Sequence, residues 1–177
     1  MNIEGFVAQS LGKWRSMRSG HSLAFQQFED VLSEIEITPL SSSSPDVLEL
    51  INISSIDNIS CSSPFAMNWA ADSDWEPDDP TEVSSGSCIL VPIANDATSG
   101  ILLRSIGYAE KTHAESTYRF LDDGTFVLLT RYEQSVAEER IWFVSDNVRC
   151  RSSVLKTSEG NGILQASFSS EVRRLKP

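Results

Sequence analysis

The sequence predicts an all-β fold with short helices, an antiparallel up-and-down β-barrel entered through an amino-terminal helix. Two observations carry this. From Phe65 onward, short runs rich in β-branched and aromatic residues recur at nearly regular intervals. Between them lie turn sequences, Asp122-Asp123-Gly124, Asp146-Asn147 and Glu159-Gly160-Asn161-Gly162, that join neighbouring strands as hairpins. A meander of eight such strands exposes two edges unless it curls, and closing it leaves room inside for one ligand. A flat sandwich stays open on periodicity alone, although closely spaced hairpins favour up-and-down neighbours.

Taken in order, Phe6, Val7, Leu11 and Trp14 recur at helical spacing and predict a short amphipathic helix from Ile3 to about Trp14. Ser22 to Val31 reads equally well as strand or helix. Ser41-Ser42-Ser43-Ser44-Pro45 and Asn58 to Pro64 read as loops around a second short helix near Asp46 to Ile53, with Asp46 as its cap. Strands are then expected near Phe65 to Ala71, Ser87 to Ile93, Ile101 to Glu110, Glu115 to Leu121, Phe126 to Glu133, Glu139 to Val144, Val148 to Leu155 and Ile163 to Val172. The whole chain, 1–177, reads as a single domain with enough apolar content for a core.

Charge is unevenly distributed. Of a formal net charge of -11, fourteen acidic residues and no Lys or Arg fall between Ser19 and Leu103, whereas eleven Lys or Arg and ten Asp or Glu follow from Arg104. An anion site is therefore expected in the carboxy-terminal part, and an acidic surface argues against nucleic acid and membrane insertion as partners. Cys61, Cys88 and Cys150 are widely spaced and form no C-x-x-C pair, so a cytoplasmic chain without zinc site or disulfide framework is expected. With His21 and His113 as the only histidines and no G-x-S-x-G, P-loop or G-x-G-x-x-G string, hydrolase or metal chemistry is not expected.

Arg149 and Arg151, two apart on a strand, share one face and invite two anions, such as a dicarboxylate. Their alternative is a solvated outer face paired with Glu138 or Glu139. Met67, Trp69 and Trp75 offer thioether and π-surfaces for an extended conjugated ligand, or simply fill a core; Trp14 and Trp142 read as packing residues. Glu133, Glu139, Glu171 and Asp146 are the carboxylates near strand ends; one facing inward would have its pKa raised by desolvation and could share a proton with a nitrogen-rich ligand. Cys150, between the arginines, points to the opposite face.

Glu139-Arg140-Ile141-Trp142-Phe143 followed by Asn147-Val148-Arg149-Cys150-Arg151-Ser152-Ser153 resembles the signature of the S-type phycobiliprotein lyases, the CpcS and CpeS family. Gly12-Lys13-Trp14-Arg15-Ser16 with Arg18, Met67-Asn68-Trp69, Gly86-Ser87, Leu102-Leu103-Arg104 with Gly107-Tyr108-Ala109-Glu110, and Ser170-Glu171-Val172-Arg173 resemble it in the same order, so the likeness spans the chain. The resemblance implies a lipocalin and fatty-acid-binding-protein-like barrel, often a homodimer. It implies non-covalent binding of a linear tetrapyrrole and its transfer, through a thioether at ring A, to one cysteine of an apo-phycobiliprotein subunit. No prosthetic group is implied; the bilin, phycoerythrobilin or phycocyanobilin, is the bound substrate, and the phycoerythrin-associated branch is the better match. By the same resemblance Arg149 and Arg151 bind the two propionates, and Trp69, Trp75 and Met67 line the pocket. Glu139 and Glu171 are the candidates for keeping the bilin protonated, and Arg18 and Ser153 belong to the pocket wall. Trp69-Ala70-Ala71 stands where Trp-Glu-Gly is common in the family, and Gly20-His21-Ser22 where a second histidine often occurs, which leaves open which carboxylate protonates the bilin. A passive lipocalin-like carrier and an antenna assembly protein are the competing readings.

Overall fold

A computed structural model describes residues 1–54, 61–72, 85–105, 114–160 and 162–175. Ten strands form one closed antiparallel barrel: β1 (Gly12–Ser22), β2 (Gln27–Pro39), β3 (Phe65–Asp72), β4 (Ser85–Ala94), β5 (Ser99–Arg104), β6 (Ala114–Phe120), β7 (Phe126–Arg131), β8 (Ser135–Ser145), β9 (Val148–Thr157) and β10 (Ile163–Arg173). Each strand pairs with its chain neighbours, and β1 pairs with β10 from Trp14 opposite Arg173 to Ser22 opposite Gln165, closing the ring. The up-and-down barrel is as the sequence predicts, and no helix among the described residues is long and apolar enough to cross a membrane.

The amino-terminal helix α1 (Ile3–Ser10) is capped by Asn2, whose side chain accepts from the Gly5 N–H at 2.9 Å. It is shorter than expected. Gly12, at φ +115°, adopts a conformation that favours glycine and ends the helical path, so Leu11 to Trp14 is not helix. Trp14 instead begins an inward row of β1, fully buried, its indole N–H donating to the Ser10 carbonyl at 2.8 Å. Helical spacing and strand alternation overlap in this short window, and the glycine decides between them. The two strands β1 and β2 are likewise absent from the expected set: Gly12 to Pro39 is a long hairpin, and the ambiguous stretch Ser22 to Val31 contains its turn and the start of β2. Polar inward residues, Ser16 and Arg18, mask the alternation in β1, and Ser33 shortens it in β2 to Glu34-Ile35-Glu36-Ile37.

The second helix α2 (Pro45–Ile53) packs Val47 and Leu50 on the outer face of β4 and β5, against Val91, Ile93 and Leu103. Its cap position is Ser44 and not Asp46: Pro45 opens the helix, as its fixed φ favours, and leaves Asp46 in the first turn beside the positive end of the helix dipole.

Inside, α1 plugs one end of the barrel. Phe6 stacks on Phe126 with ring centroids 4.3 Å apart and meets Phe120 and Phe143 edge-on. Arg173, from the end of β10, donates to the Gln9 and Leu11 carbonyls, where the helix leaves acceptors unsatisfied. Above this aromatic layer the interior becomes polar.

Candidate functional site

A cavity of about 510 Å³ occupies the half of the barrel away from α1, within the range of small-molecule pockets. Its walls differ in chemistry because neighbouring strands bring different residues to the inner face. Val31 and Ile35 of β2 and Met67, Trp69 and Ala71 of β3 form an apolar wall. Arg18 of β1, Glu139 of β8, Arg151 and Ser153 of β9, and Gln165, Ser167, Ser169 and Glu171 of β10 form a polar one. Register explains the grouping: Arg149, Glu171 and Ser16 are direct cross-strand neighbours in one row, and Arg151, Ser169 and Arg18 in the next. Trp69 leans over Gly86, where a Cβ would stand 2.4 Å from its Cζ2, so a side chain on β4 at this point would displace the indole.

Arg149 and Arg151 both point into the barrel, and the outward, solvated alternative is thereby excluded. They are not equivalent. Arg151 lies on the cavity wall, with Nη1 3.8 Å from Glu139 Oε1 and Nε 3.8 Å from Glu171 Oε1. Arg149 sits one layer deeper, 1 % exposed, ion-paired through Nε with Glu171 and stacked 4.5 Å from the Trp14 ring centroid. Arg149 does not line the cavity; it borders a smaller void beneath it, with its guanidinium beside Trp14.

Glu139 and Glu171 both face the cavity and are both buried. For Glu171 the expected rise in pKa is reversed. Burial is the largest single influence and pushes it up, but the charges of Arg151 and Arg149, with hydrogen bonds from Arg149 and Ser16, together outweigh it. The group is an ionised carboxylate, held below the ordinary carboxylate value. Burial lowers the pKa of Arg149 from its usual height, opposed by the charge and hydrogen bond of Glu171.

Arg18 reaches the cavity at the open end, where Nη2 pairs with Glu29 Oε1 at 2.7 Å. Met67, Trp69 and Ser153 also line the cavity. Trp75 lies outside the described residues. Glu133 and Asp146 are exposed and do not line it, and Cys150 is on the outer face opposite Trp142, whose ring meets Phe168 there. Trp142 therefore packs on the outside of the barrel, whereas Trp14 packs within.

Residues that sequence reasoning did not select are Tyr132, Ser16, Ser33, Ser167, Ser169 and Gln165 on the wall, and Arg104. Arg104 ends β5 with a buried guanidinium whose Nη1 is 3.7 Å from Glu139 Oε2. Alternation along the expected strand places Leu102 and Arg104 on one face, and a cation on the face of a buried Leu was the available signal. Among the described residues, the barrel interior thus holds Arg104, Arg149 and Arg151 against Glu139 and Glu171. In a chain of net charge -11 these three interior guanidiniums stand against two carboxylates, and Arg151 and Arg18 bring guanidiniums to the cavity wall itself, a site suited to a partly apolar anion.

Residues 2–174 match the family model of CpeS-like proteins. The chain is 51 % identical over 175 residues to a chromophore lyase CpcS/CpeS 3 of Trichodesmium erythraeum, covering 98 % of this chain and 99 % of the relative. It is 47 % identical over 161 residues to a putative phycoerythrobilin lyase CpeS of Microchaete diplosiphon, covering 89 % and 71 %. Among solved structures, the S-type phycobiliprotein lyase of Guillardia theta superposes with a TM-score of 0.84 at 38 % identity, covering all of this chain and 95 % of the other. The motifs read along the sequence, the ten-stranded barrel and this match over nearly the full length agree, and the chain belongs to the CpeS-like family.

Proposed function

We propose that the barrel binds a linear tetrapyrrole non-covalently and delivers it to a cysteine of an apo-phycobiliprotein subunit, forming a thioether at ring A. The observation that carries this reading is the pairing of a flat apolar wall, Trp69 and Met67, with a wall of arginines and buried carboxylates around one cavity. A bilin has that double character, conjugated rings along its length and two propionates on one edge.

The propionates meet Arg151 and Arg18, which lie in one cross-strand row on either side of Ser169, while Arg149 holds Glu171 from below. Ser153 closes the wall above Arg151. The ionised Glu171 accepts from pyrrole N–H groups and stabilises the protonated tetrapyrrole; Glu139, between two guanidiniums, is the second carboxylate available to hold or return a proton. Protonation withdraws electrons from ring A. The client thiol then adds across its exocyclic double bond, sulfur bonding the outer carbon and a proton reaching the adjoining ring carbon, so no oxidant is consumed. Trp75 remains a proposed pocket residue from the resemblance.

Phycoerythrobilin is the proposed pigment and a phycoerythrin subunit the proposed client, a choice favoured by the 47 % identical relative whose name specifies that bilin. Cys61, Cys88 and Cys150 form no disulfide with one another, which favours a cytoplasmic setting, and the homodimer implied by the resemblance is kept as a proposal.

Mixing the purified chain with phycoerythrobilin is expected to give a red-shifted, reversible complex. Adding apo-phycoerythrin subunit then yields pigment that survives acid-urea denaturation at one cysteine. Binding without covalent transfer would make the protein a carrier, and absence of binding would remove the tetrapyrrole from consideration.

A further inference from the structure

Arg104 is a guanidinium with 2 % exposure in a barrel interior, one of the most costly placements a fold can make unless the charge has a task. It contacts Glu139 across the interior: β5 and β8 are three strands apart in the ring, so sheet pairing does not impose the approach. Glu139 is bracketed by it. Oε2 faces Arg104 at 3.7 Å and Oε1 faces Arg151 at 3.8 Å.

The two guanidiniums are placed differently with respect to a partition in the barrel. Below the large cavity lies a small void of about 50 Å³, and Met67, Glu139 and Arg151 are the residues that border both spaces. Arg104 borders the void and not the cavity, whereas Arg151 borders both. Arg104 therefore acts on Glu139 from the side turned away from any ligand.

We infer that Arg104 is a positioning residue that anchors one oxygen of Glu139 in the partition and turns the other toward Arg151 and the ligand. This deepens the tetrapyrrole reading and rests on it. An anchored carboxylate presents one fixed acceptor to the ligand. Without the anchor the carboxylate has Arg151 as its neighbour on one side only, and it is free to rotate toward that guanidinium and away from the bilin. Pigment capture depends on Arg151, Arg18 and the apolar wall, none of which Arg104 borders in the cavity, so capture and transfer are expected to separate.

The test uses the full chain as Arg104→Met, Arg104→Lys, Glu139→Gln and the double variant Arg104→Met/Glu139→Gln. Affinity for phycoerythrobilin is read from absorption, and transfer to apo-phycoerythrin subunit as a rate per bound pigment. Thermal unfolding is followed without ligand. Arg104→Met is expected to slow transfer by about tenfold or more while affinity stays within about threefold. Arg104→Lys recovers most of the rate, and Arg104→Met adds nothing once Glu139 is Gln. The double variant unfolds at a higher temperature than Arg104→Met alone, because no carboxylate is left with a missing partner. Unchanged transfer in Arg104→Met, loss of affinity in proportion to rate, or additive effects of the two substitutions on rate or unfolding would each overturn the inference. If the unmodified chain captures no pigment, the tetrapyrrole reading fails instead, and the ligand-free unfolding cycle decides by itself whether Arg104 and Glu139 are coupled.

Discussion

At Arg151 two buried carboxylates converge, Glu139 on one side and Glu171 on the other, while its side chain keeps contact with the cavity. Replacing it with Ala removes a charge-assisted contact of about 1.5–3 kcal/mol, so phycoerythrobilin affinity is expected to fall roughly 10- to 100-fold in an absorption titration. Unchanged affinity would exclude Arg151 as a propionate partner. Glu171 makes a separate, pH-dependent contribution. Its pKa in the folded chain lies below the 4.5 it has in isolation, so the unfolded chain takes up the proton first as pH falls. The stability owed to the ionised carboxylate is present in full above the unfolded value and is lost as pH falls toward and through the folded one. Urea unfolding as a function of pH is expected to show a steeper loss below about pH 4.5 in the unmodified chain than in Glu171→Gln. Parallel curves would remove the assigned linkage. Cys150 has the opposite status, outward and beside Trp142, and Cys150→Ser is expected to transfer pigment at the unmodified rate. A folded but inactive serine variant would mean that the strand's inward and outward faces are assigned incorrectly.

The helix α1 is the element that turns an open tube into a cup. Eight residues alone do not hold a helix in water, so its stability comes from the Phe6 ring between Phe126, Phe120 and Phe143 and from Arg173 on its last carbonyls. Phe6→Ala deletes a buried aromatic from the plug and is expected to cost about 3–5 kcal/mol, measured by chemical denaturation. A cost below about 1 kcal/mol would show that the barrel closes without the helix. The strands that carry the site behave differently from one another. β9 alternates Arg149, Arg151 and Ser153 inward with Cys150 and Ser152 outward, a pattern legible from sequence. β1 puts Ser16 and Arg18 inward, with polar residues on both faces, so its alternation is weak; in β2 the polar inward Ser33 interrupts the row of Val31, Ile35 and Ile37, and the alternation is confined to Glu34-Ile35-Glu36-Ile37.

For the whole molecule, the distribution of charge matters more than its sum. Among the described residues an acidic exterior surrounds an interior with Arg104, Arg149 and Arg151 against Glu139 and Glu171, which disfavours non-specific anions at the surface and favours one amphiphilic anion inside. If the proposed pigment binds the closed barrel and not the unfolded chain, phycoerythrobilin at roughly one hundred times its Kd is expected to stabilise the fold by about 2.7 kcal/mol. In a thermal melt this is a rise of about 5–10 °C. A melting temperature that does not respond to pigment would argue against a site inside the barrel.

The sequence by itself determined the class of fold, the hairpin order from β3 to β10, the shared face of Arg149 and Arg151, and the family, because turn chemistry, period-two alternation and motif order are all local along the chain. The tertiary structure decided what depends on distance across the barrel. It placed Arg149 below the cavity and Arg151 on it, since the plug occupies only one end. It brought Arg104 from β5 to Glu139 on β8, a contact between strands that do not pair. It also reversed the expected shift of Glu171: burial alone raises a carboxyl pKa, and the charges of Arg151 and Arg149 on the paired strand β9, with hydrogen bonds from Arg149 and, across the β1–β10 seam that closes the barrel, from Ser16, together outweigh that cost.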